Sequence, residues 1–303
     1  MRTISRKEVI FEFSPENQPV ASVEAGETLL IETDDCFRSQ LKSEKDLVTE
    51  IDFSKVNPAT GPIEIKGAAP GDLLVVEILD IQVESKGFMV AIPEEGGFGD
   101  IIKDSVTKLV PVKDGKFWFT PELSFPINPM VGVIGVAPAS GTKPCGEIGD
   151  HGGNMDAKVI CKDARIYFLV QREGAMLAMG DAHAGMGDGE AVICGVEVPA
   201  EVQVRVDLIK NPEFKPPRPV VELGDHFIAI GHGSSLDEAA STALHDMMEL
   251  VHYKTGMNRA EIAMLISAVG NLKVCQIVDP QKTARVEMPK SILKSHDQPI
   301  FAG

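Results

Sequence analysis

Short apolar runs and alternating apolar and polar positions fill most of the first 210 residues, and this pattern predicts a mainly β fold. In residues 202–208 the apolar positions alternate with Gln203, Arg205 and Asp207, as in a strand with one buried face. Further strands are predicted where β-branched runs are bounded by Gly, Pro or Asp, in residues 28–33, 73–81, 131–136, 166–170 and 191–198.

Helical periodicity is clear only in the C-terminal third. Ser235 stands three residues before Glu238 in the spacing of a capping box, and Gly256 follows as a stop signal. Between them a single apolar face steps by four and three residues through Leu236, Ala240, Ala243, Met247 and Leu250. The capping spacing recurs at Asn258, and a second apolar face ends at Gly270, so a second helix is predicted there.

Two parts of unequal size follow from these patterns. We expect residues 1–210 to form a β-rich domain that carries the main motifs, and residues 220–303 to form a smaller α+β part packed on it as one compact unit. The four prolines in residues 210–219 predict an extended linker between them. The expected fold class is therefore mainly β with a smaller α+β part and two or three helices near the C-terminus.

The net charge of the chain limits the kinds of partner that are expected. The 303 residues carry a formal net charge of −16, which argues against nucleic acid and anionic membranes and favours a neutral or cationic small molecule. There is no uninterrupted run of 18 apolar residues, so no membrane span is expected. Because the first residues lack the apolar core of a signal peptide, a cytoplasmic location is expected.

Residues 181–190 combine acids, an imidazole and glycines. Asp181, His183, Asp188 and Glu190 fall within ten positions, and the glycines around them permit tight turns with positive φ. Such side chains can converge on a metal ion or on a water molecule to be activated. A solvated Gly/Asp turn between two strands is the alternative interpretation.

A second motif covers residues 151–156. Gly152 and Gly153 would allow close backbone approach and expose amides to a carbonyl oxygen or an oxyanion. Asn154 and Asp156 are two positions apart, so an extended segment would place them on one face. An Asx-rich turn explains the same residues without any chemistry.

Other candidate groups are more isolated. Asp35 follows the predicted strand 28–33, where a carboxylate would lie on a rim or cap a turn, and His232 precedes the first predicted helix and could face a site. The five cysteines form no C-x-x-C pair, and only Cys36 and Cys145 are candidates for a reactive thiol. Since G-x-S-x-G, H-E-x-x-H, Walker and Rossmann motifs are absent from the sequence, serine hydrolysis, zincin proteolysis and nucleotide chemistry lose support.

Taken in order, the segments 152–156 and 174–190 resemble the acetamidase/formamidase family. Segments 69–74, 134–139 and 195–198 support the resemblance, which covers residues 65–290. It implies an amidase that hydrolyses a short aliphatic amide to ammonia and a carboxylate. It also implies a sandwich-like β body and a homo-oligomer, a dimer or a multiple of dimers.

Within that resemblance, our hypothesis is hydrolysis by a metal-activated water. A divalent metal, expected to be zinc, would be bound by members of the set Asp35, Asp156, His183 and Glu190, and Glu190 or Asp181 would transfer the proton. The amides of Gly152, Gly153 and Asn154, or the metal itself, would hold the developing oxyanion.

The substrate would be held by a small pocket. We expect Gly152, Gly153 and His232 to contact a small neutral amide. Met155, Met179 and Met186 are candidates for its apolar walls.

Three alternatives stay open at this point. Covalent catalysis by Cys36 or Cys145 would need no metal. A non-catalytic protein that binds a metal or a small amide could share the fold. Calcium could also serve as a structural ion, because Asp181, Asp188 and Glu190 offer hard oxygen ligands.

Overall fold

A computed structural model describes residues 1–293 and 298–301 of the chain. Its strands are β1 Arg2–Ile4, β2 Val9–Ile10, β3 Glu12–Phe13, β4 Ala21–Val23, β5 Thr28–Thr33, β6 Ala59–Ile65, β7 Leu73–Val83, β8 Lys86–Ala91, β9 Val106–Lys113, β10 Lys116–Thr120, β11 Leu123–Pro126, β12 Met130–Gly135, β13 Lys143–Pro144, β14 Ile148–Gly149, β15 Gly152–Asn154, β16 Arg165–Leu169, β17 Leu177–His183, β18 Ala200–Ile209, β19 Val220–Leu223, β20 His226–Gly233, β21 Asn271–Gln276 and β22 Lys282–Pro289. The α-helices are α1 Leu236–Thr255 and α2 Arg259–Val269, and short 3-10 helices cover Val48–Glu50, Phe53–Lys55, Gly96–Phe98 and Lys290–Ile292.

Two large sheets form the body. The first has the order β1-β5-β18-β7-β16-β19-β20-β22-β21, and the second has the path β14-β15-β12-β17-β6-β2 with β4 paired to β6. One apolar cluster contains side chains of both sheets, among them Ile31 and Val204 from the first and Ile63 and Ile134 from the second. Face-to-face packing over a shared core makes the body sandwich-like, as predicted.

A smaller sheet, β11-β10-β9-β8, extends from the body as an antiparallel meander. The two helices pack on the other end of the molecule, where Met247 of α1 and Ile262 of α2 share an apolar cluster with Phe227 and Val286 of the first sheet. Among the described residues, neither helix combines the length and the apolar character that a membrane crossing would require.

Both predicted helices are confirmed, together with their caps. The Ser235 hydroxyl accepts a hydrogen bond from the Glu238 amide at 3.2 Å, and the Asn258 side chain accepts one from the Glu261 amide at 3.0 Å. The first helix ends at Gly256, whose φ of 70° is the left-handed conformation in which glycine is favoured.

The prediction of a strand in residues 191–198 is wrong. This run is a loop, and its only ladder contacts within the described chain are isolated bridges of Glu197 to Phe88 and His183. The Gly195 amide donates to the Glu197 carboxylate at 2.8 Å rather than to a neighbouring strand. The run is apolar because it is largely buried beside other elements, and burial alone does not distinguish a strand from a loop.

The predicted boundary between the two parts falls inside the first sheet. Residues 1–210 end after β18 and residues 220–303 begin at β19, yet β19 pairs with β16 through Ile166 and Val221. The ten residues between them have no strand or helix, as expected for an extended connection.

Candidate active site

Three neighbouring strands of the second sheet position the main group of acids. β12 pairs with β17 on one side and with β15 on the other. Asp181 and His183 are two positions apart in β17, and Asp156 follows β15 directly. The pairing therefore brings Asp156 and Asp181, which are 25 positions apart in the chain, to the two sides of β12.

Gly132 of β12 separates the two aspartates. Its carbonyl accepts hydrogen bonds from the Met155 and Asp156 amides at 3.0 and 3.3 Å. A Cβ atom at this position would collide with carboxylate oxygens of both Asp156 and Asp181. Glycine thus leaves open the space into which the two carboxylates point.

Glu190 reaches the group from the loop that follows β17. The Gly189 amide donates to the Cys275 carbonyl at 2.8 Å and the Ile277 amide donates to the Gly189 carbonyl at 3.1 Å, so backbone bonds tie the loop to β21 and the residue after it. Asp188, which the sequence grouped with these acids, points elsewhere: its carboxylate forms a bidentate pair with Arg285 at 2.8 and 3.0 Å and also contacts Lys158.

His183 lies at the centre of four carboxylates. Its Nε2 atom is 2.9 Å from Glu197 Oε1, 3.4 Å from Asp181 Oδ1 and 4.0 Å from Glu190 Oε1. The side chains are almost completely withdrawn from solvent, with exposures of 0% for His183, 1% for Asp156 and 6% for Glu190. Burying several ionisable groups away from solvent costs free energy unless their charges compensate one another.

Backbone strain is concentrated in the same residues. Asp156, Asp181 and Glu190 have φ values of 41°, 57° and 44°, in the left-handed region that residues with a Cβ atom rarely adopt. Such conformations persist when the surrounding structure enforces them, and they cluster at functional sites.

Burial and mutual repulsion shift the pKa values of this group. Burial and the neighbouring carboxylates raise the pKa of Asp156 and of Glu190 well above the usual range, and burial raises the pKa of Glu197 to about 7 although His183 opposes the shift. For His183, burial lowers the pKa but Glu197 and Asp181 outweigh it and raise the pKa. For Asp181, burial raises the pKa but His183 outweighs it and holds the pKa low.

The donor set fits a divalent cation. Asp156, His183 and Glu190 each offer one ligand atom within 4.8 Å of the others, and Cys36, Asp181 and Glu197 form a second such group. Several buried polar atoms have no hydrogen-bond partner among the described residues, including Asp156 Oδ1, Asp181 Oδ1, Glu190 Oε2, Glu197 Oε2 and both ring nitrogens of His183. Unpaired carboxylate oxygens and an imidazole nitrogen are typical ligands of zinc and of harder divalent ions.

Comparison with known proteins gives the site its context. The model of the acetamidase/formamidase family matches residues 4–143 and 142–295. The chain belongs to this family. As a member it is an amidase, a hydrolase of linear amides.

Individual relatives agree with this assignment. The amidase is 44% identical to the crystal structure of a recombinant predicted acetamidase/formamidase from Thermoanaerobacter tengcongensis, with a TM-score of 0.94 and 98% of each chain covered. It is 41% identical to an acetamidase from Bacillus halodurans, with a TM-score of 0.94 and coverage of 96% and 98%. A formamidase from Methylophilus methylotrophus is 27% identical in an alignment 293 positions long, which covers 74% of this chain and 72% of that protein.

Other predicted site residues of the amidase lie outside the two ligand groups. Asn154 is buried and donates to Asp279 Oδ2 at 2.8 Å, while Gly152 and Gly153 lie inside the sheet between β12 and β14. Met155 and Met179 are core residues, so of the three methionines only Met186 lines a cleft.

Two predicted residues of the amidase belong to other surroundings. Asp35 is in neither ligand group. Its carboxylate accepts the Ser39 amide at 2.9 Å, and burial raises its pKa to about 6. His232 contacts Asp150 at 3.2 Å and lines a separate polar cavity of about 460 Å³ together with His151.

Sequence reasoning missed Glu197, the residue nearest to His183. It stands alone between Val196 and Val198, and a lone acid inside an apolar run is a signal that could have marked it. Cys36 was considered only as a nucleophile, whereas its contacts place it beside Asp181 and Glu197.

One cleft of the amidase gives access to the acids. It has a volume of about 450 Å³ and is bounded by the loop around residues 185–196 and by the meander. Glu190 lines this cleft, whereas Asp156 and His183, the other members of its ligand group, are buried and do not line it. Glu190 is therefore the member of the first ligand group that a substrate in the cleft would meet.

Proposed function

We propose that this amidase hydrolyses short linear amides of the formamide and acetamide type to ammonia and the carboxylate, with a divalent cation at the group of Asp156, His183 and Glu190. The observation that carries the proposal is the set of buried, unpartnered donor atoms directly behind an accessible cleft. When bound, such a cation supplies Lewis-acid polarisation and lowers the pKa of water to about 7.

Asp156 and His183 would hold the cation, since they are positioned by the two strands that flank β12 and neither lines the cleft. Glu197 would add a further carboxylate beside the cation, since its Oε1 atom lies 2.9 Å from the same His183 Nε2 atom that Asp181 and Glu190 approach. Asp181, which touches the same imidazole at 3.4 Å, would add a second negative charge to balance the cation.

Glu190 would transfer the proton. Its Oε2 atom has no partner within the described chain, and the residue lines the cleft. A carboxylate whose pKa is raised by burial is a better proton acceptor than an exposed one, and after protonation it can return the proton to the departing nitrogen.

We keep zinc as the expected ion because an imidazole and a thiol are among the nearby donors, and these are ligands that zinc accepts more readily than calcium does. Asn154, Gly152, Gly153 and His232 do not line this cleft, so their predicted roles in binding the substrate or the oxyanion stay predictions outside this proposal. So do the cytoplasmic location and the homo-oligomer.

The thiol alternative gains no support from the surroundings of the two cysteines. Burial raises the pKa of Cys36 and of Cys145, and for Cys36 the neighbouring Glu197 and Asp181 raise it further. Since the thiolate is the nucleophile, both groups are disfavoured as attacking thiols. We expect treatment of the folded enzyme with iodoacetamide to leave ammonia release unchanged.

The substitution Glu190→Gln tests the proton-transfer role. We expect ammonia release from acetamide to fall by about 100-fold or more, because general acid–base catalysis typically contributes 10²–10⁴-fold. The exposed Glu173→Gln change is the control and should have no effect. Unchanged turnover of Glu190→Gln, with the fold intact by circular dichroism, would remove Glu190 from this role.

The absence of ammonia release from both formamide and acetamide by the wild-type enzyme would refute the substrate assignment.

A further inference from the structure

The cleft in front of Glu190 is larger than a two-carbon amide requires. Acetamide has four non-hydrogen atoms and occupies roughly 100 Å³ if each is given a volume near that of a water molecule in the liquid. The cleft measures about 450 Å³, which lies within the range of pockets that hold ligands of drug size. Most of its volume is therefore left over after a small amide is placed.

Aromatic side chains of the meander form one wall. Phe117 of β10 and Phe125 of β11 are cross-strand partners with ring centroids 5.5 Å apart, and Phe119 continues the same wall. Phe119 and Phe125 remain 39% and 45% exposed. Large apolar groups left in contact with water gain free energy when an apolar ligand covers them.

The loop side of the cleft is apolar as well, and the loop is fitted to the meander. Met186, Val192 and Val196 line the same cleft as the phenylalanines, and Phe117 packs in one apolar cluster with Val196. At Gly185 a Cβ atom would lie 2.7 Å from the Phe117 ring, so only glycine permits this close approach. The loop that closes the cleft is the one that carries Glu190, and the apolar space is therefore continuous with the acid group.

Charges in the cleft disfavour an anionic ligand. Its acidic side chains are Glu190 and Asp188, and the cationic partner of Asp188, Arg285, is itself buried behind the loop. No lysine or arginine is among the residues that line the cleft in the described chain. A ligand with an uncharged apolar body fits this lining, and the unpartnered Glu190 Oε2 atom marks the end of the cleft at which the reacting amide would lie.

We infer that this cleft is an acyl-binding subsite, and that the preferred substrates are primary amides whose acyl group is apolar and extended, of the size of hexanoyl. The inference rests on the proposed function, because it places the carbonyl at the acid group and the acyl chain along the phenylalanines. It extends that function from the smallest amides to a class of larger ones.

A homologous series of amides tests the subsite with the wild-type enzyme. Each methylene buried in an apolar site is worth about a fourfold gain in binding. We expect kcat/KM to rise about fourfold per added methylene from acetamide to hexanamide, mainly through a lower KM, and to fall when the chain carries a terminal carboxylate. Hydrolysis of acetamide with a flat or declining series would overturn the subsite and leave the proposed function standing.

The variant Phe125→Ala localises the effect. We expect the ratio of kcat/KM for hexanamide to that for acetamide to fall about tenfold, because truncation exposes the bound chain. The matched control is Phe53→Ala, which removes another exposed phenylalanine, one that does not line the cleft, and should leave both values unchanged. An equal loss in both variants would contradict the inference.

Calorimetric binding of hexanamide keeps the test independent of turnover. If the enzyme releases no ammonia from any amide, the proposed function fails, but binding that is lost in Phe125→Ala and retained in Phe53→Ala still supports the subsite. Absence of binding to the wild-type protein would overturn it. So would a change of oligomeric state in Phe125→Ala by sedimentation, with hexanamide unable to bind, because a second copy of the chain would then cover this face.

Discussion

Gly132 shows how one residue without a side chain shapes the site. It lies on the strand between those that deliver Asp156 and Asp181, and its missing Cβ leaves room for both carboxylates. Nothing in the sequence around Gly132 distinguishes it from other glycines in apolar strands. Its role depends on the pairing of three strands that are distant along the chain, which a local pattern does not specify.

Replacement of Gly132 by alanine is expected to damage cation binding more than stability. The added methyl must push one carboxylate aside, and overpacking of this kind costs about 1–3 kcal/mol of unfolding free energy. We expect Gly132→Ala to bind less than a tenth of the zinc that the wild-type protein binds, as measured by elemental analysis after dialysis. Gly187→Ala is the control, because a Cβ there meets no atom within 4 Å. Wild-type zinc content in Gly132→Ala would refute this role.

The candidate residues show which features of the site the sequence can predict and which it cannot. Asp156, Asp181, His183 and Glu190 were selected by motif, and the strands bring them together. Asp188 was selected by the same motif but pairs with Arg285, which lies almost 100 positions further along the chain. Composition identifies which side chains can do chemistry, whereas their direction is set by long-range partners.

At the scale of elements, the loop between β17 and β18 is held in place by the Asp188–Arg285 pair. Arg285 is completely buried and also contacts Glu287, so its charge is compensated from two sides. We expect Asp188→Asn to lower the free energy of unfolding by about 2 kcal/mol, in line with hydrogen bonds to charged groups. Urea unfolding measures it, and the exposed Asp207→Asn change should cost under about 0.5 kcal/mol. Equal effects of the two changes would show that the pair does not restrain the loop.

A second element-scale prediction concerns pH. Glu222 of β19 accepts hydrogen bonds from the Tyr167 hydroxyl at 2.7 Å and the Ile300 amide at 3.1 Å, and it pairs with Lys290. Burial raises the pKa of Glu222, but these partners outweigh it and lower the pKa below the ordinary value. The ionised carboxylate therefore stabilises the fold above the unfolded pKa of about 4.3, and this stability is lost as the pH falls through the lower folded value.

Glu222→Gln should remove this part of the loss of unfolding free energy at acidic pH. We expect wild type to exceed the variant in unfolding free energy by a constant amount above pH 5, and the difference to shrink steadily as the pH falls below about 4. Unfolding in urea at a series of pH values measures the difference. A difference that stays constant down to pH 2 would show that the interactions of Glu222 do not depend on its charge.

Element prediction from sequence succeeded where a segment had both a period and boundary signals. The capped helices α1 and α2 and the alternating strand β18 are confirmed. The strand prediction for residues 191–198 failed because an apolar run, even between a glycine and a proline, indicates burial and does not by itself indicate strand pairing. β17 was not predicted as a strand, since its acids and glycines resemble a loop in sequence while its burial comes from the two strands beside it.

At the scale of the molecule, the sandwich surrounds a group of like charges. Asp156, Asp181, Glu190 and Glu197 meet within a protein whose formal net charge is already −16, and His183 is a basic group placed among them. A bound divalent cation would offset this repulsion and stabilise the folded state by about 2.7 kcal/mol at a concentration a hundred times its Kd. Cation binding, stability and activity should therefore change together.

The central claim is tested most directly by removing the metal and returning it in steps. Protein freed of metal by a chelator is titrated with zinc while bound zinc, melting temperature and ammonia release from acetamide are measured on the same samples. We expect ammonia release to disappear in the metal-free protein and to return in proportion to bound zinc, with a rise in melting temperature. In His183→Ala all three responses should be lost. Full ammonia release from the metal-free wild-type enzyme would contradict the metal-dependent mechanism.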